Sequence, residues 1–344
     1  MRTVVKELKL IRSSRQIEST ELMEERTLWE FVNTKLKLGQ RVALLFVPES
    51  IGSSPGRQGH QMAVSEDATL FGTIGGGAME YKQVEACKKQ LATTTKACIR
   101  QQLIHDKSNK SKWSGLSCSG EQTVLTFFLD AAELDLVETI LSACLEEATY
   151  HLVLKADNSL FLEKMNASAS KFDYQYTAEH TWTYRYILNF QERVYLIGAG
   201  HVGLALCRQL TFLNFKVILI DNRPELPTVK YDEFISKKII TSYKKVANFV
   251  PSTKHDYIVI MSFSSALDTL ILSQLINKEA RYIGMMASQV KVDRIRAILL
   301  GKGYSESAFE RVHTPIGLPI KCKSPAEIAV SVAAQIIEVR NKEG

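Results

Sequence analysis

The sequence predicts an α/β protein in two parts, and three observations carry that prediction. From Arg193 onward, apolar runs alternate with helix-like stretches: "RVYLIGAG", "HVGLALCRQLTFLN", "KVILIDN", then "YIVIMS", "SALDTLILSQLIN" and "RYIGMM". Such alternation builds a parallel sheet with helices on both faces. Within it, "IGAGHVG" sets Gly198, Gly200 and Gly203 in the spacing GxGxxG, after an apolar strand and at a helix start. That is the context of a dinucleotide-binding turn. Far upstream, "GTIGGGAMEYK" places Gly75, Gly76 and Gly77 ahead of another helix. The predicted fold class is α/β: an N-terminal α/β domain with a glycine-rich turn, residues 1–188 including a connecting segment, then a C-terminal Rossmann-like doubly wound parallel sheet, residues 189–344.

The elements follow in order. Leu22, Leu28, Phe31, Val32 and Leu36 recur at near-helical spacing up to Lys37. "RVALLFV" reads as a buried strand, and "HQMAVS" and "TLFGTI" as two short strands around a turn at Glu66 and Asp67. "AMEYKQVEACKKQLATT" is a helix after the glycines, "TVLTFFL" a strand, and "LDLVETILSACLEEAT" an amphipathic helix. "YHLVLKA" and "SLFLEKM" form a hairpin around Asp157 and Asn158. Residues 166–189 are polar and aromatic with weak periodicity, and the domain boundary is placed near their end. In the second half "KKIIT" is a further strand. "SPAEIAVSVAAQIIEVR" is a last helix, with Ser324 as N-cap, Pro325 at the first helical position and Glu327 closing a capping box.

Composition narrows the function classes. The chain has 344 residues, 45% of them hydrophobic, enough for two ordinary cores. No apolar run approaches the roughly 18 residues of a membrane span. The N-terminal stretch lacks the apolar core of a signal peptide, so a cytoplasmic protein with no membrane partner is expected. The formal net charge of +6 is spread along the chain. That argues against nucleic acid, which needs a clustered basic patch, and leaves an anionic ligand open. Cys87, Cys98, Cys118, Cys144, Cys207 and Cys322 contain no CxxC pair and no zinc spacing.

Two sets of candidate site residues emerge. In the C-terminal half, Gly198 allows the tight turn, Gly200 lets backbone approach a pyrophosphate, Gly203 permits close helix packing, and Asp221 is placed to take a ribose hydroxyl pair. The negative charge of Asp221 disfavours a 2′-phosphate, although Arg223 is close by. In the N-terminal half, the Gly75–Gly77 turn at a helix start suits an anion.

Four stretches together resemble the XdhC/CoxI family, the accessory proteins that mature xanthine dehydrogenase and related molybdenum hydroxylases. They are "GSSPGRQGHQMAV", "GTIGGGAMEYKQVE", "GLSCSGE", and the closing pair "YIGMMAS" and "HTPIGLPI". The resemblance spans Arg41 to Arg340. It implies a factor that binds molybdenum cofactor and assists its sulfuration and its insertion into an apo molybdenum hydroxylase, with a cysteine desulfurase as second partner. It implies carriage rather than catalysis, between the two domains, and a homodimer is the expected assembly. On this reading Ser53 and Ser54 either donate hydroxyls to the cofactor or shape a turn. Arg57 either pairs with an anionic oxygen or is a solvated surface arginine. Glu80 either serves the site or complements the helix dipole. Cys118 is either a thiol for molybdenum or sulfur, or a buried structural cysteine. His313 in "HTPIGL" is either a site residue or a hydrogen-bonded core imidazole. His60 and His105 read as ordinary. The alternative function is an NAD(P)-dependent oxidoreductase using the C-terminal half.

The sequence also departs from the family pattern. Ala78 stands where the family often has cysteine. Ser262, Phe263 and Ser264 replace a Thr-His-Asp stretch. Gln289 and Val290 replace a basic pair, with Lys291 and Arg294 nearby, and Ser119 replaces the first glycine after Cys118.

Overall fold

The structure, a computed structural model, describes residues 20–93, 98–105, 120–144, 150–164, 170–188, 190–226 and 234–342. It divides into two compact units, one of Leu22–Phe190 and one whose main segment is Gln191–Gly344.

In the first unit, helix α1 (Thr20–Lys37) buries Leu28, Trp29, Val32 and Leu36 along one stripe. Strand β1 (Val42–Gly52) is covered on both faces. Val42, Leu44 and Phe46 enter one core, and Ala43, Leu45 and Val47 the other. A strand buried on both sides reads as an unbroken apolar run, which is why "RVALLFV" shows no alternation. With β2 (Gln61–Ser65), β3 (Leu70–Gly72), β4 (Ile99–Ile104) and β5 (Gly120–Leu129) it forms an antiparallel sheet in the order β3-β2-β1-β5-β4. Helix α2 (Gly77–Leu91) packs Met79, Val84, Cys87 and Leu91 on one core.

The other core brings in α1, α3 (Leu134–Ala143) and a second antiparallel sheet, ordered β7-β6-β9-β8. Its strands are β6 (Tyr150–Lys155), β7 (Leu160–Lys164), β8 (Phe172–Ala178) and β9 (Thr181–Ile187). Phe46 lies 6.0 Å from Tyr186, and Phe127 meets Trp182 edge-on at 6.2 Å. Each such side chain contributes about 1.5–3 kcal/mol by leaving water.

Strands β8 and β9 correct the expectation of a weakly periodic segment. In "TWTYRYI" every second residue is aromatic, and Trp182, Tyr184 and Tyr186 all point into the core. The period-two signal is present, masked by the polar partners Thr183 and Arg185 on the other face. Strand β4, which was not expected from the sequence, alternates more weakly and buries Leu103 alone among its residues.

The second unit is a six-stranded parallel sheet of β10 (Arg193–Ile197), β11 (Lys216–Asp221), β12 (Lys237–Ile240), β13 (Tyr257–Ile260), β14 (Tyr282–Met285) and β15 (Val312–His313). The order is β12-β11-β10-β13-β14-β15, all pairs parallel. This is the doubly wound order 3-2-1-4-5-6, with its switch point between β10 and β13. Helices α4 (His201–Phe212) and α8 (Pro325–Asn341) pack on one face, and α5 (Ser265–Leu275) and α6 (Gln289–Gly301) on the other. The short α7 (Glu306–Glu310) precedes β15. The capping box at Ser324 and Glu327 forms as predicted. Helices α6 and α7 and strand β15 were not expected from the sequence; β15 is two residues long and carries too little pattern to be read.

Candidate functional site

In the first unit, three chain segments meet at their glycines. A Cβ on Gly75 would lie 2.4 Å from the backbone nitrogen of Gly56, one on Gly56 would lie 2.2 Å from the Ile74 carbonyl, and one on Gly120 would lie 2.6 Å from the Ser53 carbonyl carbon. Glycine is required here because backbone packs against backbone. Gly76 differs: its φ is 76°, and a Cβ there meets nothing within 4 Å. Gly76 therefore has open space in front of it, where Gly75 has none. Gly77 and Ala78 beside it are exposed.

The helix start carries its own anion. Glu80 Oε2 accepts from the backbone N–H groups of Ile74 (2.9 Å) and Gly76 (3.0 Å) and from the Thr73 hydroxyl (2.5 Å). The carboxylate thus takes two amides of the glycine turn, those of Ile74 and Gly76, that a ligand phosphate there would use.

Ser53 and Ser54 part company. Ser53 is exposed. Ser54 is 3% exposed, donates to Gln122 Oε1 at 2.7 Å, and lies 2.9 Å from His105 Nε2. Gln122 also accepts from Gly56 N–H and donates to the Ile74 carbonyl, each at 3.1 Å. Because the Ser54 proton goes to Gln122, His105 Nε2 is the donor to Ser54. Burial lowers the His105 pKa from its ordinary value, against the opposing pull of Glu121. His105 and Gln122 therefore lock the "GSSPG" loop to the glycine turn. No local signal marks Gln122, which lies 68 residues from Ser54. Arg57 is exposed, and its guanidinium has no hydrogen-bond or ion-pair partner among the described residues. Cys118 lies outside the described residues. Cys87 is buried, its thiol pushed up to about 12 by desolvation. Among the described residues no group of three or more histidine, cysteine, aspartate or glutamate side chains is placed to hold a metal ion.

In the second unit, a Cβ on Gly198 would lie 2.2 Å from the Met261 carbonyl, and one on Gly203 would lie 2.3 Å from the Gly198 carbonyl. Gly200 faces open space at the N-terminus of α4. The three glycines thus divide as a tight turn, an open approach and a close helix contact. Asp221 ends β11 fully buried, with Oδ2 accepting from Ala199 N–H at 2.7 Å. Arg223 supplies three more donors to it. Burial alone would raise the Asp221 pKa; the Arg223 side chain and the two backbone amides outweigh it and hold the carboxyl below its ordinary value. The guanidinium of Arg223 lies 4.8 Å from the Phe263 ring centroid, and Phe263 is 61% exposed. After β13, Asp268 Oδ1 accepts from Ser262 N–H and hydroxyl, while Oδ2 pairs with Lys291.

His313 is not at this turn. It stacks on Tyr282 with ring centroids 4.6 Å apart and 16° between planes. Tyr282 donates to Gln335 on α8. A Cβ on Gly284 would lie 2.5 Å from the Tyr282 ring, so the missing side chain makes room for the stack. Burial, then Lys342, lowers the His313 pKa from its ordinary value.

Comparison with known proteins settles the family. Residues 36–102 match the XdhC and CoxI family, and residues 194–336 match the XdhC Rossmann domain. The chain belongs to the XdhC and CoxI family. It is 24% identical over 302 residues to YqeB of Escherichia coli K12, covering 87% of this chain. It is 30% identical over 150 residues to a probable xanthine dehydrogenase subunit of Bacillus subtilis 168, covering 44% of this chain. In each case the match spans 43% of the relative's length. A crystal structure described as a xanthine dehydrogenase from Bacillus halodurans shares the fold, with a TM-score of 0.64, 21% identity, and coverage of 94% of this chain and 97% of that one. No helix among the described residues is long and apolar enough to cross a membrane.

Proposed function

We propose that this XdhC/CoxI protein is an accessory factor that binds molybdenum cofactor and assists its sulfuration and its insertion into xanthine dehydrogenase or a related molybdenum hydroxylase. Family membership supports the class of process, and the name of the Bacillus subtilis relative supports the enzyme served. The observation that carries the reading is the rim of the first-unit loop cluster. Gly76 is open, Ser53 is exposed, and Arg57 is a cation without a partner among the described residues. Beneath that rim, Gly56, Gly75, Gly120 and Gln122 hold the loops by close contact, so the rim is pre-organised.

The residues present fit the cofactor in one respect and redirect it in another. Glu80 already occupies the amides of Ile74 and Gly76, so the cofactor phosphate belongs on Arg57 and the Ser53 hydroxyl, where charge-assisted hydrogen bonds are available. The open face at Gly76 then takes the flat edge of the pterin. The cofactor supplies redox chemistry to the hydroxylase that receives it; this chain binds, shields and hands over. An apo hydroxylase and a cysteine desulfurase are the proposed partners, and a homodimer the proposed assembly.

The test is anaerobic equilibrium binding of isolated molybdenum cofactor to the full chain and to Arg57→Ala, Gly76→Val and Cys118→Ala variants. Saturable binding that Arg57→Ala and Gly76→Val each weaken about tenfold or more supports the reading. Absence of binding, or equal binding by all variants, overturns it. Cys118→Ala tests the thiol separately, through sulfur transfer to the cofactor.

A further inference from the structure

We propose that the second unit binds an adenine dinucleotide bearing a 2′-phosphate, and that Arg223 rather than Asp221 reads the ribose. This concerns the Rossmann domain alone and does not rest on the cofactor reading above.

A carboxylate at the end of the second strand ordinarily accepts the ribose hydroxyl pair. It has about four lone-pair positions to do so. All four of those on Asp221 are used: Oδ1 accepts from Arg223 N and Nε, each at 2.9 Å, and Oδ2 accepts from Ala199 N at 2.7 Å and Arg223 Nη2 at 2.9 Å. The residue is also 0% exposed. A ribose hydroxyl reaches it only by displacing Arg223. The outer member of the pair is the guanidinium, whose side chain is 35% exposed and whose Nη1 lies outside the bidentate pair with Asp221. A planar guanidinium held by a carboxylate on one edge is preset to take phosphate on another.

Two neighbouring features agree. Gly200 leaves the N-terminus of the 12-residue helix α4 open to a pyrophosphate. Phe263, on the loop after β13, lies 4.8 Å from the guanidinium carbon by its ring centroid and is 61% exposed, which leaves aromatic surface for an adenine to stack on.

The experiment is calorimetric titration of the full chain with adenosine 2′,5′-bisphosphate against 5′-AMP, and with NADP against NAD. The 2′-phosphorylated member of each pair is expected to bind at least about tenfold tighter. Arg223→Gln is expected to erase that ratio. Arg223→Lys, which keeps a cation for Asp221 and so guards against a folding defect, is expected to reduce it several-fold. Phe263→Ala is expected to weaken both members alike and preserve the ratio. NAD binding as tightly as NADP, no binding of any of the four compounds, or a ratio that survives both Arg223 substitutions overturns the proposal.

Discussion

Gly198 and Gly200 sit two residues apart and are glycines for different reasons. Gly198 has a φ of 117° and the Met261 carbonyl where its Cβ would be; Gly200 has an ordinary φ of −72° and empty space. Gly198→Ala should cost about 2–5 kcal/mol in urea unfolding. Gly200→Ala should cost at most about 1 kcal/mol, yet weaken NADP binding by crowding the pyrophosphate. Equal stability losses for the two would contradict this division. His105 makes a pH-dependent prediction. Its pKa is lowered in the folded state by burial. Below the ordinary imidazole value near 6.5 the unfolded chain therefore binds more protons than the folded one, and stability falls as pH falls. His151 and His313 shift in the same direction. The urea midpoint should thus drop between about pH 7 and 5, and His105→Gln, which keeps a donor for Ser54, should shallow that slope. An unchanged slope would mean that His105 is not held neutral. Legibility at this scale was uneven for a related reason. Gly198, Gly200 and Gly203 announce themselves by spacing, whereas Gln122 and the full coordination of Asp221 depend on groups that only folding brings together.

Element boundaries were most legible where local chemistry sets them. The start of α8 is specified by Ser324, Pro325 and Glu327 within four residues, and the structure shows the reciprocal capping bonds. Ser324→Ala should lower the unfolding free energy by about 1 kcal/mol, measured against Ser307→Ala as a surface control. Strand β9 was less legible because its inward aromatics alternate with polar residues inside a polar stretch. Its contribution is nonetheless large. Tyr184 is 1% exposed and packs on Tyr186 and Tyr174, so Tyr184→Ala should cost about 3–5 kcal/mol, whereas Thr183→Ala, on the opposite face, should cost little. Comparable losses would place β9 in another register. The turn before α2 follows the same logic. A glycine-rich helix start reads as an anion site, but Glu80, four residues past Gly76, already takes the N–H groups of Ile74 and Gly76 from within.

Each unit has cores of its own: the antiparallel sheets with α1, α2 and α3 in the first, and the parallel sheet between two helical layers in the second. We propose that each folds independently. Fragments 1–190 and 191–344, expressed separately, should each show a cooperative urea transition, and the second should retain NADP binding. A fragment that unfolds without a transition would show that its core needs the rest of the chain. The boundary expected near residue 188 rests on the clean βα alternation that begins at Arg193, and the two compact units part between Phe190 and Gln191.

The sequence by itself determined the α/β class, the parallel Rossmann sheet and the family. These rest on signals contained in short windows: apolar periodicity, the GxGxxG spacing, capping residues and the order of four motifs. The tertiary structure decided which of the candidate residues remain available to a ligand. Ser54, Glu80 and Asp221 are all occupied by partners within the protein, while Arg57 is exposed and Gly76 and Gly200 have open space where a Cβ would stand. The physical reason is that a polar group cannot be buried without its hydrogen bonds being met, and the partners that meet them come from segments whose proximity no local pattern records.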